Sequence, residues 1–161
     1  MCIRDSIANN STVPLDSFYW RDTLPTDAVR LDKIITGTYN VPGNYKVVYQ
    51  TNLSGGTWRT MYDNLSTMQN YTLDASPAAL GLASNEYVTQ FMVSFGVVPS
   101  NFRQVEAPRV YCNVVSWLTG GTQFVNQADV GGVYDGQWIM ATSRWVTKVY
   151  KPSEPLPRTG Y

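Results

Sequence analysis

The sequence predicts an all-β protein, an antiparallel β-sandwich, and three observations support this fold class. Apolar and polar residues alternate with a period of two, as they do over residues 87–97, and such alternation is typical of half-buried strands. The alternating runs are rich in β-branched and aromatic residues, which fit a pleated surface. Turn-forming residues separate the runs at short intervals, which indicates antiparallel connections.

Eight segments of this kind are predicted to form strands. The last segment exceeds the usual strand length of about five to six residues, so we expect it to contain a bend or a bulge. In chain order the predicted strands are residues 17–22, 29–39, 45–51, 57–63, 87–97, 109–117, 123–130 and 137–150.

Four glycine-containing segments are predicted to be hairpin turns, because glycine tolerates the positive φ angles that tight turns require. They are residues 41–44, 53–56, 119–121 and 135–136. One short helix is predicted over residues 77–83, where Ser76 is suited to cap the N-terminus and Pro77 suits the first helical position. We expect this helix to be a crossover between strands and not a second layer.

Composition limits the functional classes. The chain has 161 residues, enough for one domain, and only 15% of them are charged, with twelve basic and twelve acidic residues. This balance gives no basic patch for nucleic acid, and no run of about 18 apolar residues is present to span a membrane.

The inventory of reactive side chains argues against an enzyme. The chain contains no histidine and two cysteines, Cys2 and Cys112, so neither Cys–His catalysis nor a cysteine-rich zinc site is available. A hydrolase would require a pair of carboxylates, and no spacing singles one out. We therefore predict no catalytic residues, no metal and no cofactor.

The most specific motif is at the C-terminal end, where Leu156, Pro157, Arg158, Thr159 and Gly160 follow a proline-containing linker that begins at residue 151. Proline fixes one φ angle and favours an extended conformation in the preceding residue, which suits binding in a groove. The pentapeptide resembles the LPxTG sorting signal of Gram-positive surface proteins.

This resemblance implies that the chain is the substrate of a sortase and becomes joined to the peptidoglycan cross-bridge. Thr159 would supply the acyl group and Gly160 the leaving amine, with Leu156 and Pro157 as recognition contacts and Arg158 as the variable position. The implied location is extracellular, in the cell wall. A hydrophobic segment normally follows the motif in that family, so we expect either a longer natural chain or a different mode of anchoring.

The first six residues, 1–6, resemble the in-frame translation of an adapter used in sequencing libraries, and we set them apart from fold reasoning. We then expect the natural protein to extend upstream of Ile7. The predicted organisation is an adapter-derived segment over residues 1–6, a β-sandwich over residues 7–150, and a flexible linker with the sorting motif over residues 151–161.

A second resemblance involves residues 9–15, with the sequence NNSTVPL, and residues 20–25, with the sequence WRDTLP. They are similar to a pattern in bacterial surface repeats with an immunoglobulin-like sandwich, and the similarity covers about residues 9–40. It implies an immunoglobulin-like stalk module. In such repeats one or two strands precede the pattern, and their loss would leave a sheet with an unpaired edge.

Surface proteins of this kind sometimes carry a Lys–Asn isopeptide bond. The candidate lysines are Lys33 and Lys46, and the candidate partners are Asn113 and Asn126. The chemistry requires a neutral, desolvated amine and a protonated acid, whereas strand lysines usually face water.

The composition suggests two other kinds of site, a calcium site and a surface that binds glycan or protein. The acids Asp16, Asp22, Asp27 and Asp32 could suggest calcium, but no dense acidic loop is present and solvated turn acids are the simpler interpretation. The five tryptophans and eleven tyrosines suggest a sandwich that binds host glycan or host protein, whereas such rings usually fill cores. An exposed row of Trp and Tyr on one sheet face would favour this alternative.

Overall fold

The computed structural model describes residues 2–4, 6–120 and 123–148, with the backbone alone for residues 2–4 and 141–148. Over this part of the chain the regular structure is antiparallel β-sheet with one short helix, which confirms the predicted all-β class. The elements are β1 (Cys2–Arg4), β2 (Leu15–Thr23), β3 (Val29–Ile35), β4 (Thr38–Tyr39), β5 (Asn44–Thr51), β6 (Arg59–Ser66), β7 (Thr72–Asp74), α1 (Pro77–Leu80), β8 (Val88–Val98), β9 (Gln104–Glu106), β10 (Arg109–Val114), β11 (Gln123–Tyr134) and β12 (Gln137–Lys148).

The strands form two larger sheets and a small third one. The six-stranded sheet has the order β12-β11-β2-β8-β5-β6, the four-stranded sheet has the order β1-β10-β3-β7, and β4 pairs with β9. Apolar residues from both larger sheets belong to one buried cluster, so the sheets share a core as in a sandwich. The finer expectation of an immunoglobulin-like topology stays a prediction.

Aromatic rings fill much of this core. Phe95 lies at the centre of one group, with ring centroids 5.0 Å from Tyr39, 5.3 Å from Tyr45, 5.3 Å from Phe102 and 5.9 Å from Phe18. Burial raises the pKa of Tyr45 to about 12, because the charged phenolate is poorly solvated there. These rings therefore act as packing groups.

The hairpin turn predicted at residues 135–136 is confirmed, and it joins β11 to β12. Asp135 and Gly136 have φ angles of 50° and 74°, the positive values that a two-residue type I′ turn requires. The last strand has no bulge over Gln137–Lys148, because β12 pairs with β11 there without a register shift, and the alternative expectation of a bend stays a prediction. The shift lies instead between β11 and β2, at Gly131 and Val133.

The predicted strand over residues 29–39 is interrupted at Gly37, which has a φ angle of 72°. A side chain at Gly37 would also collide with the backbone oxygen of Glu106. The chain therefore leaves the four-stranded sheet after Ile35 and enters the small sheet as β4. Glycine permits this change of direction because it has no Cβ.

Two of the four predicted hairpins are wrong for the same kind of reason. The segments over residues 41–44 and 119–121 connect strands of different sheets, β4 to β5 and β10 to β11. The segment over residues 53–56 does join paired strands, β5 and β6. A turn signal marks a change of direction but does not determine which strand becomes the neighbour.

The short helix α1 is confirmed, with its cap as expected. The Ser76 hydroxyl accepts a hydrogen bond from the Ala79 amide at 3.3 Å, and Pro77 occupies the first turn. The helix ends at Leu80, earlier than predicted, because Gly81 adopts the left-handed conformation.

Three short strands were not predicted: β1, β7 and β9, each of three residues. Such lengths are too short for alternation to be visible. Strand β1 lies within the segment set apart as adapter-derived, and its backbone pairs with β10. No helix of the described residues is long and apolar enough to cross a membrane.

Candidate functional site

The predicted sorting motif, Leu156, Pro157, Arg158, Thr159 and Gly160, lies outside the described residues, the last of which is Lys148. Lys148 ends β12, the outermost strand of the six-stranded sheet. Residues 149–161, which include the linker and the predicted motif, follow Lys148 in the sequence.

The two candidate isopeptide lysines lie on solvent-accessible parts of the sheets. Lys33 is half-buried on β3, with its Nζ atom 4.7 Å from the centroid of the Tyr111 ring. Lys46 is exposed on β5, opposite Ser94 of β8. Neither amine is in the desolvated environment that the reaction requires.

The two candidate asparagines have opposite environments. Asn113 is exposed, opposite Arg30 on β3. Asn126 is 1% exposed, and its amide donates a hydrogen bond to Oδ2 of the fully buried Asp22 at 3.0 Å. The structure thus brings a buried amide and a buried acid together, but it places Lys33 and Lys46 elsewhere.

The four acids considered for calcium are also dispersed. Asp22 is buried, Asp16 and Asp27 are exposed, and Asp32 is half-buried. Among the described residues, no group of three or more His, Cys, Asp or Glu side chains is arranged to hold a metal ion. These positions therefore do not form a cluster of oxygen ligands.

The tryptophans divide between core and surface. Trp20 is fully buried and packs edge-on against Phe91 with centroids 5.4 Å apart. Trp117 and Trp138 are 69% and 61% exposed. The expectation that the rings fill the core holds for Trp20, while Trp117 and Trp138 are available for contact.

Trp117 belongs to a cation–aromatic cluster that we call the Arg30 site, formed by Arg30, Tyr87 and Trp117. The Arg30 Cζ atom lies 4.1 Å from the Tyr87 ring centroid and 5.5 Å from the Trp117 ring centroid. Both distances are within cation–π range. The guanidinium group is therefore positioned by two rings that come from distant parts of the chain.

Backbone hydrogen bonds bring Trp117 to this position. The amide of Val115 donates to Ala28 at 2.9 Å, which continues the β3–β10 pairing beyond the end of β10. The amide of Leu118 then donates to Val115 at 3.3 Å. This turn places Trp117 beside β3, where Arg30 lies.

Tyr87 is positioned by Asn52 in the turn between β5 and β6. The Tyr87 amide donates to the Asn52 side chain at 2.9 Å, and the Asn52 amide donates to the Tyr87 carbonyl at 3.2 Å. The Asn52 side chain also donates to Asn85 at 2.9 Å. The site thus joins the end of the six-stranded sheet to the four-stranded sheet.

The hydrogen bonds of Arg30 use only one end of its guanidinium group. Nη1 donates to the carbonyl oxygens of Thr26 and Val29. Among the described residues, no acceptor contacts Nε or Nη2, and no carboxylate forms an ion pair with Arg30. The edge formed by Nε and Nη2 is the one that can bind a carboxylate with two parallel hydrogen bonds.

Trp138, the other tryptophan found exposed in the described part of the chain, lies near an arginine that is already paired. Trp138 packs edge-on against Tyr19 with ring centroids 6.1 Å apart, and the Arg21 Cζ atom lies 5.6 Å from the centroid of the Tyr19 ring. Arg21 donates through Nε and Nη2 to Oδ2 of the buried Asp129, at 3.2 and 2.7 Å. Arg21 therefore binds a carboxylate at its Nε–Nη2 edge. In Arg30 the corresponding edge is open.

A groove of about 280 Å³ lies between residues 6–11 and the β11–β12 hairpin. Its lining includes Phe18, Ile139 and Met140. The polar side chain of Asn9 there is engaged by Val13, Ser11 and Pro99. The groove offers mostly apolar surface, with Ser6, Asn10 and Ser11 also in its lining.

Arg30 and Tyr87 were not singled out from the sequence, and no local pattern marks them, because their association depends on strand pairing. Comparison of the chain with protein-family models, with curated proteins and with solved structures found no match.

Proposed function

We propose that this chain is a structural, wall-proximal module of a Gram-positive cell-surface protein, joined to peptidoglycan through Leu156–Gly160. The observation that carries this proposal is the pentapeptide itself, which matches the fixed positions of the sorting signal. Its role is to present the parts of the protein that lie farther from the wall.

The geometry of the fold supports this proposal. Leu156 follows Lys148 by eight residues, which span at most about 29 Å when extended. Lys148 is the last residue of β12, which is an edge strand of the six-stranded sheet. Pro152, Pro155 and Pro157 favour an extended segment that separates the motif from the sandwich.

The implied reaction changes one amide bond for another. A sortase thiolate attacks the carbonyl carbon of Thr159, the Thr159–Gly160 bond breaks, and Gly160 leaves as a protonated amine. An amine of the cross-bridge then attacks the thioester, loses a proton and releases the thiolate. The chain supplies the acyl group, and the enzyme supplies the catalytic groups.

The test is transpeptidation in vitro. Incubation with a sortase and a glycine peptide should replace the residues after Thr159 by the peptide, and intact mass should report the exchange. Thr159→Ala and Leu156→Ala should abolish it, and Arg158→Ala should preserve it. Absence of exchange in the wild-type chain, or equal exchange in Thr159→Ala, would contradict the proposal.

A second candidate function is binding of a host glycan or host protein by the sandwich. The observation that favours it is the exposure of Trp117 and Trp138, since large exposed aromatic rings are common at binding surfaces. Screening the protein against immobilised glycans tests this candidate. Loss of a detected signal on Trp117→Ala or Trp138→Ala would identify the face that binds.

A further inference from the structure

We propose that the Arg30 site binds the carboxylate of an acidic sugar in a glycan, with the sugar ring stacked on Trp117. This inference rests on the second candidate function, binding by the sandwich, and is independent of wall anchoring. Arg30 supplies the charge that this binding requires, because it is a cation without a carboxylate partner among the described residues.

The first feature that suits an acidic ligand is the open edge of Arg30. Two carbonyl oxygens hold Nη1, so the orientation of the guanidinium group is set before any ligand arrives. Nε and Nη2 retain donors that face no acceptor of the described chain. A carboxylate fits such an edge with two parallel hydrogen bonds, as Asp129 at Arg21 illustrates with a single oxygen.

The second feature that suits such a ligand is the Trp117 ring, which flanks Arg30. Trp117 is 69% exposed and lies next to the guanidinium group. The face of an indole ring is electron-rich, and the axial C–H groups of a pyranose carry partial positive charge, so the two surfaces attract each other. One ring and one cation at this spacing match one sugar unit that carries its carboxylate on or beside the ring.

The net charge of the chain argues against a polyanion as the preferred ligand. Binding of nucleic acid or a similar polymer depends on many Lys and Arg contacts, and this chain has a formal net charge of zero. A single oriented arginine beside an exposed ring favours a ligand with a single acid at a defined place. Uronic acids and sialic acids share this chemistry.

The experiment titrates the folded protein with two pairs of probes. The first pair is a glucuronate-containing tetrasaccharide and the same compound with its carboxyl groups reduced to alcohols. The second pair is sialyllactose and lactose. Affinity is measured by calorimetry and by NMR of the arginine Nε–H and tryptophan Nε1–H groups, which reports the side chains directly.

At least one acidic probe should bind about tenfold or more tightly than its neutral counterpart, as expected for a charge-assisted hydrogen bond. The preferred pair distinguishes a uronic acid from a sialic acid. The affinity should fall as salt is raised, because the contact is partly exposed. The Nε–H signal of Arg30 should shift on binding.

Matched variants locate the contact. Arg30→Gln and Trp117→Ala should each weaken binding about tenfold or more, and Arg30→Lys should be intermediate because it keeps the charge and loses the paired donors. Arg103→Gln, at an exposed arginine elsewhere, and Trp138→Ala, at an exposed tryptophan outside the Arg30 site, should bind as the wild type does. Circular dichroism confirms that each variant is folded.

Several results would overturn the proposal. One is equal affinity for the acidic and neutral probes. Another is unchanged binding by both Arg30→Gln and Arg30→Lys when both variants are folded. A third is no binding of either acidic probe at millimolar concentration. Binding of acidic peptides in preference to both sugars would assign the site to another class of partner. None of these outcomes affects the transpeptidation test, which depends on Leu156–Gly160 and not on Arg30 or Trp117.

Discussion

The side-chain amide of Asn126 donates a hydrogen bond to Oδ2 of Asp22 at 3.0 Å, and both residues are buried. This bond connects β11 to β2, neighbouring strands in the six-stranded sheet. Asp22 is also the aspartate of the D-T-L-P segment that resembles bacterial surface repeats. The acid of that pattern is therefore part of the interior of this fold.

We expect Asn126→Ala to lower the free energy of unfolding by about 1–3 kcal/mol, because it removes a hydrogen-bond donor from a buried carboxyl group. Asn113→Ala is the matched control, since Asn113 is exposed, and its effect should stay within about 0.5 kcal/mol. Urea denaturation measures both. Equal effects of the two substitutions would show that the buried bond does not contribute.

We expect neither Lys33 nor Lys46 to form an isopeptide bond, because Lys33 lies over the Tyr111 ring and Lys46 is exposed. Peptide mapping by mass spectrometry should recover the peptides of both lysines without a cross-link. A cross-linked peptide containing either lysine, lighter by one ammonia, would refute this expectation. Lys33→Arg and Lys46→Arg variants would then show which amine reacts.

Gly37→Ala should destabilise the protein more than Gly96→Ala does. Both glycines have positive φ angles, 72° and 73°, and an alanine there costs about 1–2 kcal/mol. At Gly37 the new Cβ also meets the backbone of Glu106, whereas at Gly96 nothing lies within 4 Å. Thermal unfolding of the two variants tests the order, and a lower melting temperature for Gly96→Ala would contradict it.

Stability should decrease in acid through Glu86. The Thr51 hydroxyl and the Ala83 amide donate to its carboxylate, and together with Arg59 they hold the pKa of Glu86 below its ordinary value of 4.5. Because the native state favours the ionised form, this stabilisation is present above pH 4.5 and is lost as the pH falls through the lowered pKa.

Two variants test this dependence by denaturation over a pH series. Glu86→Gln should flatten the acid limb of the stability profile. Thr51→Val keeps the Glu86 carboxylate and Arg59 but removes the Thr51 hydroxyl, the donor that lowers the pKa of Glu86 most. It should therefore reduce the stabilisation gained above pH 4.5. An acid limb in Glu86→Gln as steep as in the wild type would assign the effect to other groups.

Local patterns predicted much of the secondary structure. Alternation placed β5 and β8 within a residue or two of their observed bounds, and Ser76 with Pro77 marked the start of α1. The Asp135–Gly136 pair predicted its hairpin correctly. These features depend on neighbouring residues, so they are visible in the sequence.

The partners of each strand could not be predicted in the same way. Residues 29–39 alternate as one strand, yet Gly37 divides them between two sheets because the backbone of Glu106 approaches there. Asn113 and Asn126 carry the same chemistry in similar strand contexts, but one is exposed and the other is buried. Burial depends on the opposing sheet, which lies far away in the sequence.

The sequence by itself determined the β-class and the position of the Asp135–Gly136 turn, and it alone carries the pentapeptide Leu156–Gly160 that resembles a sorting signal, because a motif and a local period need no distant partner. Only the tertiary structure decided that Arg30 lies between Tyr87 and Trp117 and that Asn126 contacts Asp22. The physical reason is that cross-strand and cross-sheet contacts arise from chain pairing over long separations, which short-range alternation does not encode.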